Sequence, residues 1–299
     1  MTNRTNRCIL CGSGRKSKEY AIGSKGIYKC DSCGLIFTLP QNRLTQFSEK
    51  QKAIYEGEMY RKMYFSIRKK ICHRAEKRLE EISSYRTTGS ILDEGCSYGF
   101  FLEVASEKGW ESYGTEINKP AADYSRKLGA KVSNCFTEDA KLKKNFFDAI
   151  TMWDVLEHTE NPVKHLIFVR GLLKKGGIIA VQLPNIDSIA SKIAGKKWAW
   201  LCPDDHMYHF SVKTLTRAIK EAGYDMIEMR TWEDPTVIVD SIVARIKSDN
   251  NKAMNSAIDK IAIPFYIFMN KVGFLFYPYH WIIKKYNKGG LILAYAKNK

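Results

Sequence analysis

From about residue 89 onward, apolar positions fall into short runs of four to eight residues, separated by segments whose apolar residues recur at three- and four-residue steps. The runs predict strands over Ser90–Asp93, Glu111–Glu116, Lys131–Asn134, Phe147–Trp153, Gly177–Leu183 and Tyr224–Thr231. The segments between them predict helices over Phe100–Lys108, Ala121–Leu128, Pro162–Leu173 and Val212–Ala222. Strand and helix alternate, which predicts βαβ units and a mostly parallel, doubly wound sheet of the α/β class. A last apolar run, Gly290–Ala296, predicts a strand that pairs antiparallel beside the preceding one.

The flanking regions have different patterns. Residues 1–40 are rich in Gly and Cys with short β-like runs. Residues 47–83 read as helical, with Ile54, Tyr55, Met59, Tyr60, Met63, Tyr64, Ile67 and Ile71 at helical steps. Tyr55, Tyr60 and Tyr64 form either an aromatic packing stripe or a lid. Between the last two strands, residues 235–287 form an excursion from the sheet. Its segment 261–283 is strongly apolar and aromatic, but Lys271, Pro264 and Pro278 interrupt it, so a buried lid or an interfacial element is expected rather than a membrane span. The resulting organisation is a module at 1–46, a helical linker or lid at 47–88, and a main domain at 89–299.

Charge separates the ends from the middle. Residues 1–89 carry 19 Lys/Arg against 8 Asp/Glu, residues 90–250 carry 21 against 23, and residues 251–299 carry 8 against 1. Two basic ends suit an anionic contact: a phosphate-bearing substrate, a nucleic acid or a membrane surface. Lysines also serve solubility alone. The N-terminus has no apolar signal-peptide core, so a cytoplasmic location is expected, with peripheral membrane contact through 261–283 an extension of it.

Four of the eight cysteines form two matched knuckles, Cys8-Ile-Leu-Cys11-Gly and Cys30-Asp-Ser-Cys33-Gly. In a CxxCG turn two thiolates reach one ion and the glycine permits the tight return of the chain. In a reducing compartment the four thiolates predict a closed Zn2+ site that is structural or recognitional rather than catalytic. Cys72, Cys96, Cys135 and Cys202 are isolated.

The main domain carries a second motif, Ser90-Ile-Leu-Asp93-Glu-Gly95-Cys96-Ser97-Tyr98-Gly99-Phe-Phe-Leu. A strand ends, a small-residue turn lets backbone approach a ligand, and a helix N-terminus follows. The next strand ends at Glu116, where a carboxylate can accept hydrogen bonds from both ribose hydroxyls. The glycine spacing is not GxGxxG, which disfavours NAD.

Together these segments resemble class I S-adenosylmethionine methyltransferases of the small-molecule type with an N-terminal cysteine knuckle pair. Asp93–Gly99 is similar to that family's strand-D-x-G-C-G-x-G motif, with Ser97 in place of the middle glycine. Phe147-Asp148 through Trp153-Asp154-Val-Leu-Glu157-His158 and Asn161-Pro162 resembles its "FDxIxxxxVLEHxxxP" segment, and Leu172-Leu-Lys-Lys-Gly176-Gly177 its "LLKPGG" turn. His206-Met-Tyr208-His209-Phe210-Ser211, then Ala222-Gly223-Tyr224, resembles "HxxxFS…AGF". The resemblance implies a seven-stranded Rossmann-like sheet and S-adenosyl-L-methionine as cofactor. It implies a donor site at Asp93, Gly95, Cys96, Ser97, Gly99 and Glu116. Strand-end position adds Phe136 and Thr137 near the adenine, and Trp153 and Asp154 near the methionine or adenine end.

Methyl transfer from a sulfonium is an in-line displacement, so positioning carries much of it and a base is needed only when the acceptor must lose a proton. His206, then His158, are the acceptor-side candidates, with a purely structural role the competing reading for His158. Trp198 and Trp200 are an acceptor wall or core packing. The expected partner is a small or carrier-linked acceptor, such as a sugar or lipid-linked intermediate, and a homo-oligomer is compatible. An RNA methyltransferase gripping phosphates through its knuckle, and a non-catalytic binding protein with a vestigial fold, are the alternatives.

Overall fold

The computed structural model describes residues 7–40, 57–233, 236–247 and 277–299, with positions 254, 256 and 258. They fall into two compact units, which do not follow chain order. One comprises Met1–Gln41, Leu183–Arg217 and Met229–Leu293; the other comprises Asn42–Gln182, Ala218–Glu228 and Ala294–Lys299.

The first unit opens on β1 (Lys16–Ile22), β2 (Lys25–Cys30) and β3 (Ile36–Leu39), an antiparallel meander. In the second unit, α1 (Glu58–Ser66) and α2 (Arg68–Tyr85) replace the expected single helix, with the break at Ile67. The alternating core follows: β4 (Ser90–Glu94), α3 (Phe100–Glu107), β5 (Glu111–Thr115), α4 (Lys119–Lys127), β6 (Lys131–Ser133), β7 (Phe147–Trp153), α5 (Pro162–Arg170) and β8 (Leu173–Pro184). The remaining elements are α6 (Ile189–Ala194), β9 (Tyr208–His209), α7 (Val212–Glu221), β10 (Tyr224–Trp232), α8 (Thr236–Ile246), α9 (Tyr277–Lys285) and β11 (Leu291–Asn298).

The main sheet has seven strands in the order β10-β11-β8-β7-β4-β5-β6. β4 pairs in parallel with β5 and β7, β5 with β6, and β7 with β8. β4 is buried along its whole length and β7 along all but its last residue, because helices flank the sheet; their sequences therefore read as continuous rather than alternating runs. Ile91, Leu92, Ile150, Met152, Ile179 and Val181 fill this core. Two of the flanking helices begin where an asparagine side chain satisfies a free backbone N–H group. Asn118 accepts from Ala121 at the start of α4, and Asn161 from Lys164 at the start of α5, each with a proline in the first turn.

Register sets the position of the site. Glu94 lies opposite Thr115 and Met152, and Thr115 opposite Ser133. The loops leaving β4, β5, β6 and β7 therefore emerge at one edge, the carboxyl edge where open α/β sheets take ligands.

In the first unit, the two-residue strand β9 pairs antiparallel with β3, Ile36 opposite His209 and Phe37 opposite Tyr208, completing a four-stranded sheet. Ile27, Ile186, Ala194, Trp198 and Leu201 form one buried cluster, with Tyr20, Ile22, Ile36 and Trp200 packed on it. Trp198 and Trp200 thus serve core packing. Of the apolar segment 261–283, residues 261–276 lie outside the described residues, as does Tyr55. No helix among the described residues is long and apolar enough to cross a membrane.

Candidate active site and metal centre

The turn after β4 is built on three left-handed residues: Gly95 at φ 66°, Ser97 at φ 48° and Gly99 at φ 75°. Glycine takes this conformation without penalty, which is why Ser97 looks out of place in the sequence. A Cβ on Gly99 would lie 2.0 Å from the Ser125 Oγ and 2.6 Å from its Cβ, so glycine lets α3 start hard against α4. Ser97 N–H donates to Glu116 at 2.8 Å and Asn118 N–H donates to the other Glu116 oxygen at 2.7 Å. The acid is thereby fixed, and each oxygen keeps a second lone pair, which is what two ribose hydroxyls require. Burial pushes its pKa up, and these N–H groups oppose the shift.

Asp93 lies beneath the turn, fully buried, and accepts from the Thr151 hydroxyl at 2.6 Å. Burial, reinforced by the charges of Glu116 and Glu94, pushes it up to about 7. Cys96 is buried with its thiol pKa raised well above the usual range, so its role is packing. Thr137 is buried and shares a 2.7 Å hydrogen bond with Thr115, which anchors the turn after β6; Phe136 sits half-buried beside it. Gly95 and Asp154 are exposed, and Ser97, Glu116 and Trp153 half-buried, so this edge is open to a ligand rather than sealed.

Tyr60 and Tyr64 join an aromatic cluster with Tyr98 of the turn, Phe100 and Tyr124, with Ser97 beside their hydroxyls. Burial, then the Glu116 charge, pushes Tyr60 up to about 12. The packing stripe and a cover over the turn are therefore the same residues.

Arg78 carries no signal in a helix crowded with basic residues. Its guanidinium stacks 3.9 Å from the Trp153 ring centroid and bonds to the Gln182 carbonyl, while the Gln182 amide donates to Asp154 at 3.0 Å. Desolvation lowers its pKa to about 10, with Asp154 opposing. The chain orients Asp154, held at φ 60°, at the tip of β7. Beyond it Glu157 is buried with neither carboxyl oxygen hydrogen-bonded among the described residues, and burial, then the Asp154 charge, raise its pKa well above its ordinary value.

The cysteine centre lies in the first unit. The Sγ atoms of Cys8, Cys11, Cys30 and Cys33 all lie within 4.8 Å of one another, with Cys8–Cys33 at 3.5 Å and Cys11–Cys30 at 3.4 Å. These distances exclude disulfides, whose sulfurs sit about 2.05 Å apart. They suit one tetrahedral zinc, whose Zn–S bonds of about 2.3 Å set sulfurs about 3.8 Å apart. The two knuckles superpose bond for bond: Gly12 N–H donates to the Cys8 carbonyl and Gly34 N–H to that of Cys30, each at 2.8 Å. Cys8 N–H donates to Ser13 and Cys30 N–H to Leu35, again at 2.8 Å. Burial pushes the Cys8 and Cys33 thiols up, whereas N–H groups of Cys33 and Ser32 aimed at the Cys30 sulfur outweigh burial and bring it down to about 7. The donor set fits zinc with no position left for a substrate.

The comparisons with known proteins address the donor edge. Residues 64–229, more than half the chain, match the family model described as a methyltransferase domain. The chain belongs to the methyltransferase domain family. S-Adenosyl-L-methionine is its methyl donor. Ubiquinone biosynthesis O-methyltransferase of Cereibacter sphaeroides is 28% identical over 152 residues, which is 47% of this chain and 62% of that protein. An uncharacterised protein of Methanocaldococcus jannaschii is 28% identical over 150 residues, 50% of this chain and 71% of that one. A SAM-dependent methyltransferase structure from Archaeoglobus fulgidus aligns over 80% of this chain and 99% of its own, with a TM-score of 0.54 at 19% identity, a likeness of fold.

For a methyltransferase the remaining question is what handles the acceptor. His158 closes the short turn after β7, half-buried. His206 belongs to the first unit. Its Nδ1 lies 2.9 Å from the Trp200 carbonyl, an acceptor, so Nδ1 carries a hydrogen. Thr38 fixes the same loop, donating to the His206 carbonyl at 2.9 Å. It also pairs at 3.0 Å with Nε2 of His209, which burial pushes down to about 3 and keeps neutral. His206 is thus held by its Nδ1 hydrogen bond, and His209 is structural. When bound, S-adenosylmethionine would supply the activated methyl group, and Glu116 and the turn are the groups that would hold it.

Proposed function

We propose that this methyltransferase methylates a hydroxyl of a small or carrier-linked metabolite, a sugar or lipid-linked intermediate being the class intended. The observation that carries this reading is the identity with ubiquinone biosynthesis O-methyltransferases. His206 is the proposed base, with His158 as second acceptor-side residue; the Nδ1 hydrogen bond that holds the His206 ring supports the order. In this reading residues 1–46 serve recognition or scaffolding, 47–88 cover the donor and 89–299 carry the chemistry. The protein works in the cytoplasm, at a membrane surface where segment 261–283 makes peripheral contact.

The test is a donor-consumption assay. Purified protein with S-adenosylmethionine is challenged with hydroxylated quinone precursors, nucleotide sugars, lipid-linked sugars and bulk RNA, and S-adenosylhomocysteine is measured. Turnover on a hydroxylated metabolite, reduced at least a hundredfold by His206→Ala with unchanged donor binding, is expected. Turnover on RNA alone, lost as salt rises, would establish the alternative in which the basic ends grip phosphates.

A further inference from the structure

His165 was not among the residues that the sequence singles out. It lies on α5, and its ring is almost fully buried, with 4% exposure. Nδ1 is 3.0 Å from a carboxylate oxygen of Glu138, and Nε2 is 2.9 Å from the Glu94 carboxylate. Ionised carboxylates only accept hydrogen bonds, so both ring nitrogens must donate and the ring is an imidazolium. Burial alone would lower its pKa; the Glu94 charge and the Glu138 contact overcome that and push it up to about 10.

The two carboxylates come from different loops. Glu94 is the last residue of β4, directly before Gly95 and the donor turn. Glu138 lies in the short turn Thr137–Asp139 after β6. The backbone does not connect these turns, and β5 separates their strands in the sheet. A salt bridge with one buried cation at its centre ties them, and Thr137–Thr115 makes a second tie on the same turn. A buried cation held by two carboxylates is disrupted at high cost when one member is removed, because the others stay buried without their partner.

We propose that His165 is a positioning residue for the methyl donor: as an imidazolium clamp it sets the spacing between the turn that holds the ribose and the turn beside the adenine. It touches no reacting atom. It acts on donor affinity through Glu94 and Glu138. The proposal rests on the donor lying between these turns.

The experiment compares wild type with His165→Gln and Glu138→Gln in the full-length protein. His165→Gln keeps a polar group but no charge; Glu138→Gln leaves the Glu94 contact in place. Titration calorimetry with S-adenosylmethionine, and separately with S-adenosylhomocysteine, should show affinity weakened tenfold or more in His165→Gln and by a smaller factor in Glu138→Gln. Hydrogen exchange without ligand should show protection lost at 134–140 and 94–99 but kept in β7 and β8. Donor affinity within twofold of wild type in a folded His165→Gln, or protection lost evenly across the sheet, would overturn the proposal and leave the residue a plain core group. If His165→Gln does not fold, Glu138→Gln decides by the same two readouts. Wild-type protein that fails to bind either ligand would sink the donor reading itself, while the exchange pattern would still decide whether His165 ties the turns.

Discussion

Substitution of Gly99 by alanine should destabilise the second unit far more than the same change at Gly109, although the two glycines bracket the same helix. Both are left-handed, at φ 75° and φ 87°. An L-residue in that conformation costs about 1–2 kcal/mol. Part is offset, because alanine restricts the unfolded chain by about 0.4–1 kcal/mol. At Gly109 nothing lies within 4 Å of the new Cβ, so the net loss is about 1 kcal/mol or less. At Gly99 the Cβ would meet Ser125 Oγ at 2.0 Å, its Cβ at 2.6 Å and its backbone at 3.0 Å. Overpacking of that kind adds about 1–3 kcal/mol, for a total of about 1–4 kcal/mol. Urea unfolding followed by circular dichroism gives both values. A double variant with Ser125→Gly removes the clashing atoms, so the cycle should return a coupling of at least about 1 kcal/mol. Equal losses for the two alanine variants, or zero coupling, would refute the close approach of α3 and α4 as the reason for Gly99.

Three further outcomes are expected. Glu116→Ala should weaken S-adenosylmethionine binding tenfold or more by calorimetry, since it deletes the ribose acceptor and leaves Ser97 N–H and Asn118 N–H without theirs; unchanged affinity would remove Glu116 from the site. Purified protein should carry one zinc per chain by elemental analysis, and Cys30→Ser or strong chelation should release it with a fall in thermal stability; chain that stays metal-free at full stability contradicts the tetrathiolate centre. The pKa of His165 is raised in the fold from an ordinary value of 6.5 to about 10, so its contribution to stability is complete below about 6.5 and disappears as pH rises through about 10. The gap in unfolding free energy between wild type and His165→Gln should therefore narrow between pH 6 and pH 10; a gap that widens has the wrong sign.

The legible parts of the site were those in which chemistry and chain position coincide. Glu116 directly follows a strand at a fixed distance from a small-residue turn, and the cysteine knuckles repeat a spacing, so short-range pattern suffices. Arg78 and His165 depend on what faces them across the sheet: a stacked tryptophan in one case, two distant glutamates in the other. Neither partner is encoded near the residue. β9 is two residues long and owes its existence to pairing with β3, 171 positions away for the Thr38–His209 contact. No window of hydrophobic periodicity registers it. The helical segment before the donor turn was foreseen as one element because its apolar steps continue through Ile67, where the backbone breaks between α1 and α2. Ser97 shows the opposite case: the sequence marks an irregularity, and its positive φ supplies the reason.

The pairing of β3 with β9 bears on how this protein is inherited and recombined. A cysteine module that ends near residue 40 invites treatment as a detachable cassette, to be deleted or exchanged between relatives. Yet its third strand supplies the edge on which Tyr208 and His209 are hydrogen-bonded, and its Ile27 fills a cluster otherwise made by Ile186, Ala194, Trp198 and Leu201. Removal would strip a strand of its only sheet neighbour among the described residues and bare apolar surface in a segment encoded some 150 codons downstream. A chimera made by joining a foreign knuckle at residue 41 should therefore fail unless 183–217 travels with it. Those two stretches, far apart in the gene, are expected to change together as a single unit of descent.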